Sequence, residues 1–106
     1  MPDKIEILTN LKLKLKNRFG DKIKDVILFG SHASDRANEY SDYDILILLN
    51  SDYDAKFEDQ IVDVCYDIDL KYNILTDTHI LSKNELKMLR GRQPVFTNAM
   101  KNGIYA

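Results

Sequence analysis

The sequence has 106 residues, enough for one hydrophobic core, so a single domain spanning 1–106 is expected. Hydrophobic residues at 44% and charged residues at 30% give an ordinary globular balance, not that of a disordered or membrane-embedded chain. A formal net charge of −2 argues against a protein that wraps nucleic acid non-specifically, so strong nucleic-acid binding is not expected.

The first four residues, Met1-Pro2-Asp3-Lys4, are charged and carry no apolar leader. Ile5, Leu8, Leu11, Leu15 and Phe19 then recur at helical spacing, with Lys12, Lys14, Lys16 and Arg18 mostly on the other side. This predicts an amphipathic helix over about residues 3–19, stopped at Gly20. Val26-Ile27-Leu28-Phe29 reads as a buried strand running into a turn at Gly30-Ser31. Residues 34–41 are polar and irregular. Asp42 to Leu49 reads as a second strand, apolar on both faces in its later part and so covered on both sides. Its run from Ile45 to Leu49 is the longest apolar stretch and far too short for a bilayer, so no membrane association is expected and the cytoplasm is the default location.

A loop at 50–54 precedes a helical stripe of Phe57, Ile61, Val64 and Cys65, predicting a helix over about 55–66. Cys65 is the single cysteine, so no internal disulfide forms, and its place on the stripe reads as a small core residue. From Asp67 to Leu75 polar and apolar residues alternate, which predicts a third strand with Asp67, Asp69, Lys71 and Asn73 on its polar face. Ser82 and Glu85 form a capping box for a short helix to about Arg90. Pro94 opens a last helix and Gly103 ends it. The sum is an α/β (α+β) domain: a small mixed sheet packed with helices.

The chemistry concentrates between Gly30 and Asp44. Asp42 and Asp44 are two apart on a predicted strand and so share a face. Like charges held that close call for a cation, and Mg²⁺ takes one or two carboxylates plus phosphates and water. Gly30 allows close backbone approach, and a helical turn starting at Ser31 would present free N–H groups to phosphate. A third carboxylate would complete a site for two metal ions. Asp69 is the candidate, because it lies on the polar face of the next predicted strand and strands sit roughly 4.8 Å apart. It would share a metal or accept the proton of an attacking hydroxyl. Asp67 on the same face is the rival.

The spacing of Gly30-Ser31, ten residues, then Asp42-Tyr43-Asp44 resembles the G-S-x10-D-x-D signature of the DNA polymerase beta-type nucleotidyltransferases, in particular their minimal (MNT) branch. The Tyr66-Asp67-Ile68-Asp69-Leu70 segment resembles the family strand bearing the third carboxylate, and Gly103-Ile104-Tyr105 resembles the family's ending. The resemblance implies a polymerase beta palm-like fold and ATP as substrate. In it Gly30 and Ser31 hold the β- and γ-phosphates, Asp42 and Asp44 bind Mg²⁺, and Asp69 completes the site. It also implies a HEPN-domain toxin as partner, with the chain as antitoxin, some relatives transferring AMP to a toxin tyrosine.

The chain departs from the family pattern at Ser34 and Asp35, where relatives often carry arginine and glycine. Arg36 would then supply the positive charge for the nucleotide. The departures also suit an alternative, a catalytically weak binding module that neutralises its partner by covering it. Transfer to a small-molecule hydroxyl is a third reading, disfavoured by the lack of a second domain. A homodimer, or a complex with the partner, would bury more surface of so small a domain. His32 would reach a phosphate or face solvent, and His79 reads as structural. Lys87, Arg90 and Arg92 read as charges near a helix end.

Overall fold

The computed structural model describes residues 3–38, 40–88 and 90–106. Helix α1 spans Lys4–Phe19, strand β1 Ile23–Phe29 and strand β2 Tyr43–Leu49. Helix α2 spans Ala55–Tyr72, strand β3 Thr76–Ser82, helix α3 Pro94–Asn102 and strand β4 Ile104–Tyr105. The strands form one mixed sheet in the order β3-β2-β1-β4. β1 runs antiparallel to β2 and to β4, whereas β2 and β3 are parallel. A parallel pair needs a crossover, and α2 provides it.

α1 starts where Asp3 accepts a hydrogen bond from the Ile5 amide at 2.9 Å. It ends where Gly20 takes a φ of 61° and donates its N–H to the Lys16 carbonyl. Its buried stripe is Ile7, Leu8, Leu11 and Leu15. Ile5, expected on that stripe, is half exposed in the first turn, and Ile7 packs inward instead.

α2 is longer than the spacing of its first apolar residues predicts, and it overturns the expected strand over 67–75. Asp54 caps its start by accepting from Phe57 N at 2.8 Å. The stripe Ile61, Val64, Cys65, Ile68 continues the i, i+3, i+4, i+7 spacing, and Tyr72 lies four residues further on. Leu70, which the alternation placed inside, is exposed. The helix stops at Asn73, whose left-handed conformation (φ 54°) gives an αL cap with its N–H on the Asp69 carbonyl. The third strand therefore starts only at Thr76.

Beyond β3, Ser82 N donates to Glu85 Oε1 at 3.0 Å and Glu85 N to Ser82 Oγ at 3.2 Å, the expected reciprocal pair. It opens a 3-10 turn at Glu85–Lys87 rather than a helix reaching Arg90. Pro94 begins α3 as expected, and the Gly103 amide closes it on the Ala99 carbonyl at 2.8 Å.

The sheet separates two cores. On one face Val26, Leu28, Ile45, Ile47 and Ile80 pack against the α1 and α2 stripes. On the other, Ile27, Leu46, Leu48 and Leu81 pack against Phe96 and Ala99 of α3. This two-sided cover explains why β2 is apolar on both faces. The α3 face also carries Asp44 of β2 and Asp77 and His79 of β3, in line with Leu46, Leu48 and Leu81. Among the described residues, no helix is long and apolar enough to cross a membrane.

Candidate active site

Parity on the strands puts the acids together. In the parallel ladder Asp44 pairs with Asp77 and Leu46 with His79. Asp44, Leu46, Asp77 and His79 thus share one face, and the buried Leu46, Leu48 and Leu81 identify it as the α3 side. Asp44, Asp77 and His79 each offer a donor atom, all within 4.8 Å of one another. Asp42 lies just ahead of β2, and its charge is felt at Asp44. Burial first, and then the facing Asp77 carboxylate, pushes Asp44 above the ordinary carboxylate range.

Gly30 follows Phe29, the β1 residue paired with Asp44. Its φ is +75°, and a Cβ built on it would lie 2.1 Å from Asp44 Oδ2. The glycine is thus required by conformation and by the carboxylate stacked on its backbone. The chain then coils: Ala33 N and Ser34 N donate to the Gly30 carbonyl at 3.2 and 3.3 Å, and Arg36 N donates to the Ser31 carbonyl at 3.0 Å. A turn of this kind leaves its leading amides, at Ser31 and His32, without partners inside the turn. The turn lies against the Asp44 carboxylate.

Asp35 has φ 59°, which explains why glycine suits this position and why aspartate, tolerant of the left-handed region, can replace it. Its carboxylate meets Lys4 Nζ at 2.7 Å, and that contact holds its pKa below the ordinary value. Lys4 also donates to the His32 carbonyl at 3.2 Å, tying the start of α1 to the turn. His32 neither faces solvent nor is placed for phosphate. Its ring is buried, stacked 3.6 Å from the Tyr43 ring, with Nε2 2.9 Å from the Ser41 carbonyl oxygen.

Beside the turn lies a cleft of about 550 Å³, bounded by Gly30, Ser34 and Arg36 on one wall and by Val95, Asn98 and Asn102 of α3 on the other. A cleft of this volume suits a small molecule. Arg36 Nε donates to Ser34 Oγ at 3.0 Å, so these two residues form one polar wall of the cleft.

Of the expected site residues, Gly30, Ser31, Arg36, Asp42 and Asp44 gather at this end of the sheet. Asp69 does not stand on the neighbouring strand. It lies in the last turn of α2, where its Oδ1 accepts from Thr76 N at 3.0 Å and fastens the helix to β3. Burial raises its pKa, the Thr76 hydrogen bonds oppose this, and Asp42 adds a smaller push upward. Asp67 is exposed on the same helix. The strand neighbour of Asp44 is Asp77. Asp77 and His79 were legible in principle: Asn73 is a helix stop, and Thr76 to Leu81 alternates with β-branched residues.

Cys65 is buried, and burial pushes its thiol up to about 11, in keeping with a core role. Arg90 is engaged by Glu85 at 3.1 Å and lies over the Phe96 ring.

The chain matches the profile of a family described as the nucleotidyltransferase domain over residues 8–104. It is 37% identical over 79 residues to "Putative protein adenylyltransferase MJ0141" of Methanocaldococcus jannaschii, covering 74% of this chain and 80% of that one. Against "Putative protein adenylyltransferase MJ0604" of the same organism it is 36% identical over 69 residues, covering 65% of this chain and 64% of that one. Among solved structures, a toxin-antitoxin crystallised with AMP-PNP is similar with a TM-score of 0.57 at 20% identity, covering 91% of this chain and 69% of that one. A mutant of the toxin-antitoxin MntA-HpeT is similar with a TM-score of 0.56 at 18% identity, with the same coverage. At these identities the structural likeness concerns the fold.

Proposed function

The chain belongs to the nucleotidyltransferase domain family, and on that premise we propose that it transfers AMP from ATP to a protein hydroxyl, a tyrosine of a HEPN-type toxin, and so acts as the antitoxin. The observation that carries the reading is the facing pair Asp44 and Asp77, set against the Gly30 turn. The names of the relatives support a protein acceptor, and the toxin-antitoxin neighbours support a toxin as that acceptor.

The donor set fits a divalent cation. Two carboxylates directly opposed across a ladder, with Asp44 pushed upward first by burial and then by its neighbour, form an arrangement that a cation relieves. Asp42, Asp44 and Asp77 would hold it, with Asp77 in the place expected of Asp69. When bound, such a cation supplies charge neutralisation at the α-phosphate and the leaving pyrophosphate.

The protein's own groups do the rest. The Ser31 and His32 amides hold the β- and γ-phosphates, and Arg36 adds positive charge from the cleft wall. The acceptor oxygen attacks the α-phosphorus, the bond to pyrophosphate breaks, and the hydroxyl proton passes to the Asp77 carboxylate. Little of an acceptor surface exists on so small a domain, so the partner brings most of it.

The departures at Ser34 and Asp35 favoured a non-catalytic binding module. Ser34 and Asp35 lie within a turn held by three backbone hydrogen bonds, and Asp35 is paired with Lys4. This intact turn favours the catalytic reading. The test is incubation with ATP labelled at the α-phosphate, a divalent salt and a candidate HEPN-type toxin, first the product of the adjacent gene. Label should appear on the toxin and vanish with Asp44→Asn. Neutralisation of the toxin without label would select the binding module.

A further inference from the structure

We propose that His79 is a nitrogen ligand of the cation held by Asp44 and Asp77, and that this gives the site a preference for Mn²⁺ over Mg²⁺. The inference rests on the reading that Asp44 and Asp77 bind a divalent ion.

The backbone sets the geometry. Asp77 and His79 alternate along β3 and so project to one face, and Asp44 stands directly across from Asp77. His79 stands across from Leu46, an apolar residue. The acids are its polar neighbours, on the side toward the end of the sheet. The three donor atoms fall within 4.8 Å of one another. At metal–ligand bonds of about 2.0–2.2 Å, ligands on opposite sides of one ion are about 4.0–4.4 Å apart and neighbouring ligands about 3 Å. The cluster is therefore close to the size of a single coordination sphere.

The ring is held for this. It lies between Phe29, with centroids 5.7 Å apart, and Phe96, with centroids 5.8 Å apart. Nε2 stands 3.5 Å from Asp77 Oδ2, longer than a good hydrogen bond but natural for two ligands on adjacent corners of one ion. The side chain is about one-third exposed (32%), so a cation can reach it. His32, the chain's other histidine, is committed to Ser41 and Tyr43.

Ligand chemistry supplies the preference. Carboxylates alone serve Mg²⁺ and Mn²⁺ alike, whereas imidazole favours transition ions. Mg²⁺ also keeps water in preference to nitrogen ligands. An imidazole nitrogen added to the carboxylate oxygens therefore selects Mn²⁺ between the two.

The experiment is pulsed electron paramagnetic resonance on the full chain loaded with Mn²⁺, without an affinity tag. Nitrogen modulation from a directly bound imidazole is expected, shifting to the ¹⁵N pattern when histidine is ¹⁵N-labelled. It should disappear in His79→Gln, whose Mn²⁺ affinity falls about tenfold or more while Mg²⁺ affinity changes less than about threefold. Mn²⁺ bound without nitrogen modulation, or modulation that survives in His79→Gln, overturns the assignment of His79 and leaves the carboxylate reading standing. Failure of the unaltered chain to bind Mn²⁺ overturns both. If His79→Gln does not fold, the labelled wild-type spectrum decides alone.

Discussion

The carboxylate of Asp44 lies over Gly30 in the space where any other residue would carry its Cβ. The glycine turn and the acidic pair are thereby brought into direct contact. Gly30→Ala would place a methyl 2.1 Å from Asp44 Oδ2 at a φ of +75°. We expect it to cost about 1–3 kcal/mol of stability and, by displacing Asp44, to lower transfer by roughly 100-fold or more. Thermal melts and initial rates on the same preparation measure the two effects. Normal rates with normal stability would show that the contact is dispensable.

Asp77 and Asp69 should behave in opposite ways. Asp77→Asn keeps the shape of β3 and removes a charge facing Asp44, so transfer should fall by about 100- to 1,000-fold with the melting temperature held or raised. Asp69→Ala removes the acceptor of the Thr76 amide hydrogen bond. It should cost about 1–2 kcal/mol in denaturant titrations and leave the rate within roughly threefold at a temperature where the variant is folded. The reverse pattern would return the third carboxylate to Asp69.

Asp44 should be a destabilising residue kept for function. Its folded pKa lies above the ordinary value of 3.8, so the folded chain binds more protons than the unfolded one just above that pH. Stability contributed by the protonated form is present below 3.8 and is lost as pH rises toward the folded value. Without divalent ions at neutral pH, Asp44→Asn should therefore melt higher than the unaltered chain by roughly a few degrees. That advantage should shrink in acid. Divalent ion at ten times its Kd should return about 1.4 kcal/mol to the unaltered chain and little to the variant. Calorimetry from acid to neutral pH, with and without the ion, tests all three statements.

Asp35 occupies a left-handed position that glycine fills without strain, and its charge is paired with Lys4. Asp35→Gly should shift the melting temperature by less than about 3 °C. By freeing the Lys4 charge beside the turn, it should lower the KM for ATP about twofold at low salt, an effect that fades as salt is added. A KM that rises instead would show that the turn needs the carboxylate.

Much of this was written in the sequence through local rules. Asp3 and Gly20 bracket α1, Pro94 and Gly103 bracket α3, and the reciprocal pair Ser82 and Glu85 is present. The Gly30 turn and β2 followed from an apolar run on either side of a polar loop. The misplaced segment was 67–75. There Ile68, Leu70, Tyr72 and Ile74 alternate by coincidence, while the longer helical stripe from Ile61 is what the core selects. Placing the strand too early put Asp69 at the strand position beside Asp44 that Asp77 occupies. The α3 wall of the cleft was not legible, because nothing local in Asn98 or Asn102 reports which surface they will face.

The spacing of Asp44 and Asp77 comes from rungs of a ladder, and side-chain packing has little part in it. Backbone hydrogen bonds between adjacent strands fix that distance whatever residues fill the layers above and below. Drift at the helix surfaces can then proceed over long evolutionary times with the acidic pair unmoved. The helices are then free to acquire new contacts while the spacing of the two acids holds.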